Sequence, residues 1–165
     1  MEMEEFVENL KSRFAEGILL YQEREMPVFV VTKGCYPLLV KALLEEKSFQ
    51  VLLDITAVDY LRWPEPQPQR FELVCHLFSL DYNKRVRIKV PLNQGEEAPS
   101  LTSLYGNASW LEREVYDMFG IPFHDHPDLR RILLYDEFQG HPLLKDYPWK
   151  REQPLYEEIK DDPNR

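Results

Sequence analysis

Four charged residues cluster in one short stretch of the chain: Glu112, Arg113, Glu114 and Asp117. Paired carboxylates perform acid/base or metal chemistry when a pocket separates their pKa values. Here an arginine stands between the acids, and no glycine-rich loop or histidine pair nearby completes a site. We therefore interpret the cluster as a solvated face or one that pairs with a partner, with Arg113 and Asp117 spaced to pair with each other.

Histidines and cysteines supply few metal ligands. In an extended segment, His124 and His126 would place both imidazoles on one side, but two ligands do not make a metal site. Cys35 and Cys75 stand in apolar surroundings, which indicates two buried thiols in a reducing compartment. Two isolated cysteines hold neither a structural zinc nor an iron–sulfur cluster. We predict no metal or cofactor in this chain.

A basic island interrupts an acidic chain. Arg130, Arg131 and Lys145 are expected to pair with acids of this chain or of a neighbour, since buried arginines usually bind carboxylates. The formal net charge of −9 argues against a nucleic-acid partner and against docking on anionic lipid. No apolar run approaches the ~20 residues of a membrane-spanning helix, and the acidic start of the sequence is not a signal peptide.

Helices and strands must position these residues. Helical spacing of apolar residues predicts helices over residues 3–16 and Tyr36–Lys47. Apolar, β-branched runs predict strands, with a central strand among them: Ile18–Gln22, 28–32, 49–61 (central), 71–80 and 85–92. The first two strands should form a hairpin, and the proline-rich residues 63–69 an exposed loop. This order predicts a two-layer α+β domain with helices on one face of a mixed or antiparallel β-sheet.

A third helix, residues 109–120, carries the charged cluster. Ser109 and Glu112 fit a capping box, and Gly120 stands where a left-handed cap would end the helix. After residue 120 the chain becomes irregular, apolar and rich in proline. We predict a domain over residues 1–121 and an extended C-terminal arm over residues 122–165. The arm should lie on the domain's own flank or, as we favour, on a partner protein.

Three ordered motifs identify a resemblance. They are EREVYDMFGI (residues 112–121), HPDLRRIL (126–133) and GHPLLKDYP (140–148). Together with LLDITAVDY (52–60), they resemble the 30-kilodalton subunit (C) of respiratory complex I, NADH:quinone oxidoreductase. The similarity spans nearly the whole chain and is weakest at the N terminus.

The resemblance implies a cofactor-free subunit in the quinone-reducing module of the peripheral arm. Iron–sulfur clusters and FMN would be held by other subunits, and this chain would pack against the quinone-site subunit (D) and neighbouring iron–sulfur subunits. The complex would lie at the cytoplasmic side of the inner membrane, without insertion of this chain into the bilayer. Twelve residues become structural or partner-interface residues rather than catalytic ones: Glu112, Arg113, Glu114, Asp117, His126, Asp128, Arg130, Arg131, His141, Lys145, Asp146 and Tyr147.

Two departures from the family pattern and two rival hypotheses accompany this expectation. Asp125 precedes His126 where we expect a glycine, so we expect that turn to differ, and many relatives carry a longer tail after Pro154. One rival is the equivalent subunit of a membrane-bound hydrogenase, or of a ferredoxin- or F420-dependent dehydrogenase. The other is a free-standing acid/base enzyme that uses Glu112, Glu114 or His126.

Overall fold

The computed structural model describes residues 3–22, 26–148, 150 and 153. Three α-helices lie in this part of the chain: α1 (Met3–Arg13), α2 (Tyr36–Lys47) and α3 (Ala108–Phe119). The β-strands are β1 (Ile18–Gln22), β2 (Val28–Val31), β3 (Val51–Asp59), β4 (Phe71–Ser79), β5 (Lys84–Leu92), β6 (Ala98–Pro99) and β7 (Phe123–His124). Each helix and strand expected from the sequence is present, with ends that differ by a few residues.

The main sheet has five strands in the order β1-β2-β5-β4-β3. Strands β2 and β5 are parallel, and the other neighbours are antiparallel, so the sheet is mixed. Buried residues of β3, β4 and β5 form one core with apolar residues of the helices, including Phe6 and Leu10 of α1 and Leu39 and Leu43 of α2. The predicted α+β fold is confirmed.

Strand β3 is an edge strand, so the expectation of a central strand is wrong. Apolar content misled the prediction, because the free edge of β3 is covered rather than exposed. The Asn107 side chain donates to the Leu52 carbonyl (2.9 Å), and the Tyr105 hydroxyl donates to the Phe49 carbonyl (2.6 Å). These contacts bind carbonyl groups that an edge would otherwise leave open to pairing with another chain.

Other local predictions are confirmed. Residues 62–68 are exposed, as three prolines in that loop predict. Both cysteines are buried and free. In β5, Val86, Ile88 and Val90 are buried, and the alternate positions are half-buried or exposed.

The extended C-terminal arm is not confirmed by the described residues. Strand β7 pairs with β6, and Phe123 belongs to the core. Beyond it, Leu129 and Leu144 pack against the same core, so the segment folds back onto the domain as a series of turns. Residues 149, 151, 152 and 154–165 of the predicted arm lie outside the described residues. Where one domain ends and an arm begins stays a prediction.

No helix in the described ranges combines the length and the hydrophobicity that crossing a membrane requires.

Candidate functional site

Helix α3 buries most of its charged cluster. Glu112 and Asp117 are fully buried, and Arg113 is 8% exposed. Only Glu114 of the four charged residues is exposed. The expected solvated or partner-pairing face is therefore wrong for three of the four, because their charged atoms are bound by other parts of this same chain. Burial of a charge requires such partners.

Asp117 binds the segment that follows β7. Its Oδ1 accepts from Arg131 Nη1 (2.6 Å), and its Oδ2 accepts the backbone N–H groups of Ile132, Leu133 and Leu134 (3.1, 2.9 and 2.9 Å). Three consecutive amides that converge on one oxygen form a cradle for an anion. Burial would raise the pKa of Asp117, but these hydrogen bonds and the Arg131 guanidinium outweigh it and hold the pKa below its ordinary value.

The two arginines of this site take different partners from those predicted. Arg113 does not pair with Asp117, because it donates instead to the carbonyls of Arg130 (3.0 Å) and Arg131 (2.8 Å). The Arg131 guanidinium also donates to the carbonyls of Phe138 (2.9 Å) and Gly140 (3.0 Å). Both guanidinium groups thus fix the backbone of residues 130–140 against α3.

Glu112 fastens α3 to the loop after β6. Its Oε1 accepts the Leu101 N–H (2.6 Å), and its Oε2 accepts the Ser100 hydroxyl (2.7 Å). The predicted capping box is therefore wrong: the helix cap is Asn107, without a side-chain capping bond, and Glu112 points into the core. Burial raises the pKa of Glu112 to about 7, although the two hydrogen bonds oppose the rise. No cation pairs with it in the described part of the chain.

The C-terminal end of α3 receives the third motif. Gly120 ends the helix in the left-handed conformation (φ +71°), as predicted. His141 Nδ1 lies 2.9 Å from the Asp117 carbonyl, and a Cβ at Gly120 would stand 2.6 Å from His141 Cδ2. Only glycine satisfies both the backbone angle and this close approach. The Leu143 N–H donates to the Met118 carbonyl (3.0 Å), which continues the contact.

A second anchor joins the third motif to the end of β3. The buried Asp59 carboxylate accepts from Arg70 Nη2 (2.9 Å) and from the Lys145 backbone N–H (2.9 Å). Arg70 Nη2 also donates to Asp146 Oδ1 (2.7 Å). The Lys145 side chain is exposed. Nearby, the Tyr147 ring stacks on Phe138 with centroids 6.1 Å apart.

The second motif turns the chain back to α3. Asp125 adopts a left-handed conformation (φ +63°), so the position where a glycine was expected keeps a glycine-like backbone. The Asp128 N–H donates to His126 Nδ1 (3.0 Å), which leaves Nε2 to donate to the Ser109 carbonyl (3.1 Å). His124 is exposed and turned elsewhere, beside Glu97 and Asp125. Arg130 pairs with Asp128 at the surface.

The geometry provides anchoring rather than reactive groups. Asp59, Asp117, Arg113 and Arg131 each use their charged atoms to bind backbone or side-chain groups of this chain. Within residues 3–22 and 26–148, no three His, Cys, Asp or Glu side chains are placed to hold a metal ion.

Similarity to known proteins decides the family. The family model for the respiratory-chain NADH dehydrogenase 30 Kd subunit matches residues 29–153. The chain belongs to this family.

Several relatives carry one name. The NADH-quinone oxidoreductase C subunit of Citrifermentans bemidjiense is 44% identical over 86% of this chain and 87% of its own length. The corresponding subunit of Trichlorobacter lovleyi is 44% identical over the same shares. A trypsin-resistant fragment of Nqo5 is similar in structure, with a TM-score of 0.65 and 32% identity over 78% of this chain and all of that fragment. A chain from an archaeal membrane-bound sulfane sulfur reductase shares the fold, with a TM-score of 0.69 at 20% identity.

Sequence reasoning missed three residues of this 30-kilodalton subunit's anchors: Asp59, Arg70 and Ser100. For Asp59 a signal was present. Ile55, Ala57 and Asp59 alternate along β3, and all three are buried. A carboxylate at an inward strand position requires a cation or several N–H donors, so the pattern predicts a buried ion pair. Arg70 and Ser100 carry no comparable local signal.

Proposed function

We propose that this chain is a cofactor-free structural subunit of the quinone-reducing module of a complex-I-type NADH:quinone oxidoreductase. It would form part of the peripheral arm on the cytoplasmic side of the membrane and pack against the quinone-site subunit (D). Electrons would pass from NADH through FMN and iron–sulfur clusters of other subunits to quinone, coupled to proton translocation. In this role the chain shapes and holds a surface and performs no chemistry itself.

One observation carries the proposal: the charged residues of the motifs are used to fix the chain's own C-terminal segment. Asp117 with Arg131, and Asp59 with Arg70, hold residues 130–146 at both ends of that segment. A catalytic group must instead reach a substrate in a pocket. This arrangement argues against the hypothesis of a free-standing acid/base enzyme.

The anchored segment presents large apolar side chains to solvent. Trp110 is 60% exposed, Leu133 is 62% exposed and Leu143 is 49% exposed. All three are attached along α3: Trp110 lies in the helix, the Leu133 N–H binds Asp117, and the Leu143 N–H binds Met118. Exposed apolar groups on a rigid support are typical of the centre of an interface. We propose this surface, named here the α3 surface, as the contact with the quinone-site subunit.

Replacement of the apolar groups tests the proposal. Trp110→Asp with Leu133→Asp should leave the chain folded and lower its recovery in the membrane complex on native gels. Leu80→Asp is the matched control, because Leu80 is 64% exposed in the β4–β5 turn, away from α3. Full assembly of the double variant would contradict a contact at the α3 surface. Metal or flavin absorbance in the purified wild-type chain would contradict the absence of a cofactor.

The electron donor is tested separately. The name shared by the relatives, which describes an NADH-quinone oxidoreductase, favours NADH over hydrogen, ferredoxin or F420. Membranes that contain this chain should therefore oxidise NADH, and immunodepletion of the chain should remove that activity. Depletion that removes hydrogen, ferredoxin or F420 oxidation instead would favour the alternative complex.

A further inference from the structure

The main sheet has a second face that lies away from the core. Cross-strand pairs place Val28 opposite Arg87 and Val74 opposite Lys89. Val28 and Val74 are each only 7% exposed, yet neither belongs to the core cluster. The side chains of this face alternate with the core residues of the same strands, and we call it the outer face: Val28, Val30, Asp54, Thr56, Glu72, Val74, His76, Phe78, Arg85, Arg87 and Lys89.

The outer face combines an apolar floor with cations. The valines form the floor, and the aliphatic stems of Arg87 and Lys89 lie across the strands from two of them. Three cations and two carboxylates stand on this face, whereas the chain as a whole has a net charge of −9. A basic face on an acidic chain is suited to an acidic partner.

Two of the three cations have no carboxylate partner among the described residues. Lys89 pairs with Glu72 at 2.7 Å. The Arg87 Nε instead donates to His76 Nε2 at 2.8 Å, an arrangement that requires a neutral imidazole. Burial and the nearby Arg87 lower the pKa of His76, consistent with that neutral form. Arg85 is exposed and lies over the Phe78 ring, 5.9 Å from its centroid.

We propose that the outer face binds a second neighbouring subunit, one that presents carboxylates to Arg85 and Arg87 above the valine floor. This contact is distinct from the α3 surface, and it rests on the proposed function only in that the chain is part of a multi-subunit complex. A polypeptide is favoured over anionic lipid for two reasons. The net charge of the chain opposes approach to an anionic membrane. An apolar centre with a charged rim is the usual composition of a protein interface.

Cysteine labelling tests whether the outer face is covered. Thr56→Cys places a thiol on the outer face, and Gln67→Cys places one in the exposed loop between β3 and β4. Background labelling is low because both native cysteines are buried. In the assembled complex, Thr56→Cys should react with maleimide much more slowly than in the purified chain, and Gln67→Cys should react equally in both.

Charge reversal tests the chemistry of the partner. Arg85→Glu with Arg87→Glu should lower assembly about tenfold, since like charges then face each other. Arg62→Glu with Lys41→Glu makes the same change in net charge on exposed positions elsewhere and should assemble normally. Thermal unfolding of each purified variant establishes that it is folded.

Each outcome decides a separate statement. Equal labelling of Thr56→Cys in complex and free chain overturns the docking surface. Protection that survives charge reversal overturns an acidic partner. Protection that appears in the purified chain at high concentration indicates a second copy of this chain, and protection lost on lipid removal indicates the membrane; both also overturn the proposal. Failure of the wild-type chain to join any membrane complex counts against the proposed function instead.

Discussion

The Asp117 carboxylate and the Arg131 guanidinium meet at 2.6 Å, although they belong to different motifs. Asp117 is wholly buried, and the Arg131 side chain is 16% exposed. A charge pair at such low exposure is costly to break, because removal of either partner leaves the other charge without compensation. The pair therefore controls whether residues 130–140 stay on the domain.

Neutralisation of Asp117 should release that segment. Asp117→Asn removes the charge that balances Arg131 and the oxygen that accepts three amides, with an expected cost of roughly 3–5 kcal/mol. Hydrogen exchange should accelerate at Ile132, Leu133 and Leu134, and proteolysis should increase within residues 130–148. Asp136→Asn, at an exposed position, is the control. Unchanged exchange at the three amides would show that Asp117 does not hold the segment.

Glu112 should make stability depend on pH near neutrality. Its carboxyl titrates near 4.5 when unfolded and about 7 when folded, so between these values the folded chain binds more protons and stability falls as pH rises. Glu112→Gln removes this loss and should raise the free energy of unfolding above pH 7 by roughly 2–3 kcal/mol. Urea unfolding of the purified chain across this range measures the effect. The exposed Glu114→Gln should leave the profile unchanged; an identical slope in Glu112→Gln would exclude Glu112 as its source.

Gly120 should resist substitution where Gly106 does not. Gly120→Ala strains a backbone at φ +71° and drives a Cβ against the His141 ring. The expected loss of stability is roughly 2–3 kcal/mol, measured by chemical denaturation. Gly106→Ala is a matched control, because a Cβ there meets nothing within 4 Å. Equal stability of the two variants would mean that the helix end can rearrange at little cost.

Arg70 should matter more than one of the acids it binds. Arg70→Ala leaves the buried Asp59 without its cation, at an expected cost of about 3–5 kcal/mol. Asp146→Ala removes a carboxylate that is 49% exposed, so its cost should stay within about 1 kcal/mol. Thermal unfolding of both variants beside Arg62→Ala, at an exposed control position, gives the comparison. A large loss in Asp146→Ala would place the weight of the network at its exposed end.

The sequence by itself determined the helices and strands, the left-handed end of α3 and the family. These features are encoded in local periodicity, in one glycine and in contiguous motifs. It also indicated that Arg131 pairs with an acid, but the spacing of α3 suggested Arg113 as the partner of Asp117. In the folded chain, Arg113 binds carbonyls of residues 17 and 18 positions away instead.

Only the tertiary structure decided the position of β3 at the sheet edge, the inward direction of Glu112 and the partner of Asp59. The Asp59–Lys145 hydrogen bond joins residues 86 positions apart. The physical reason is that local spacing fixes which face of an element a side chain occupies, whereas charge satisfaction depends on which distant element packs against that face. For the same reason a proline-rich segment that suggested an extended arm lies, where described, against its own domain.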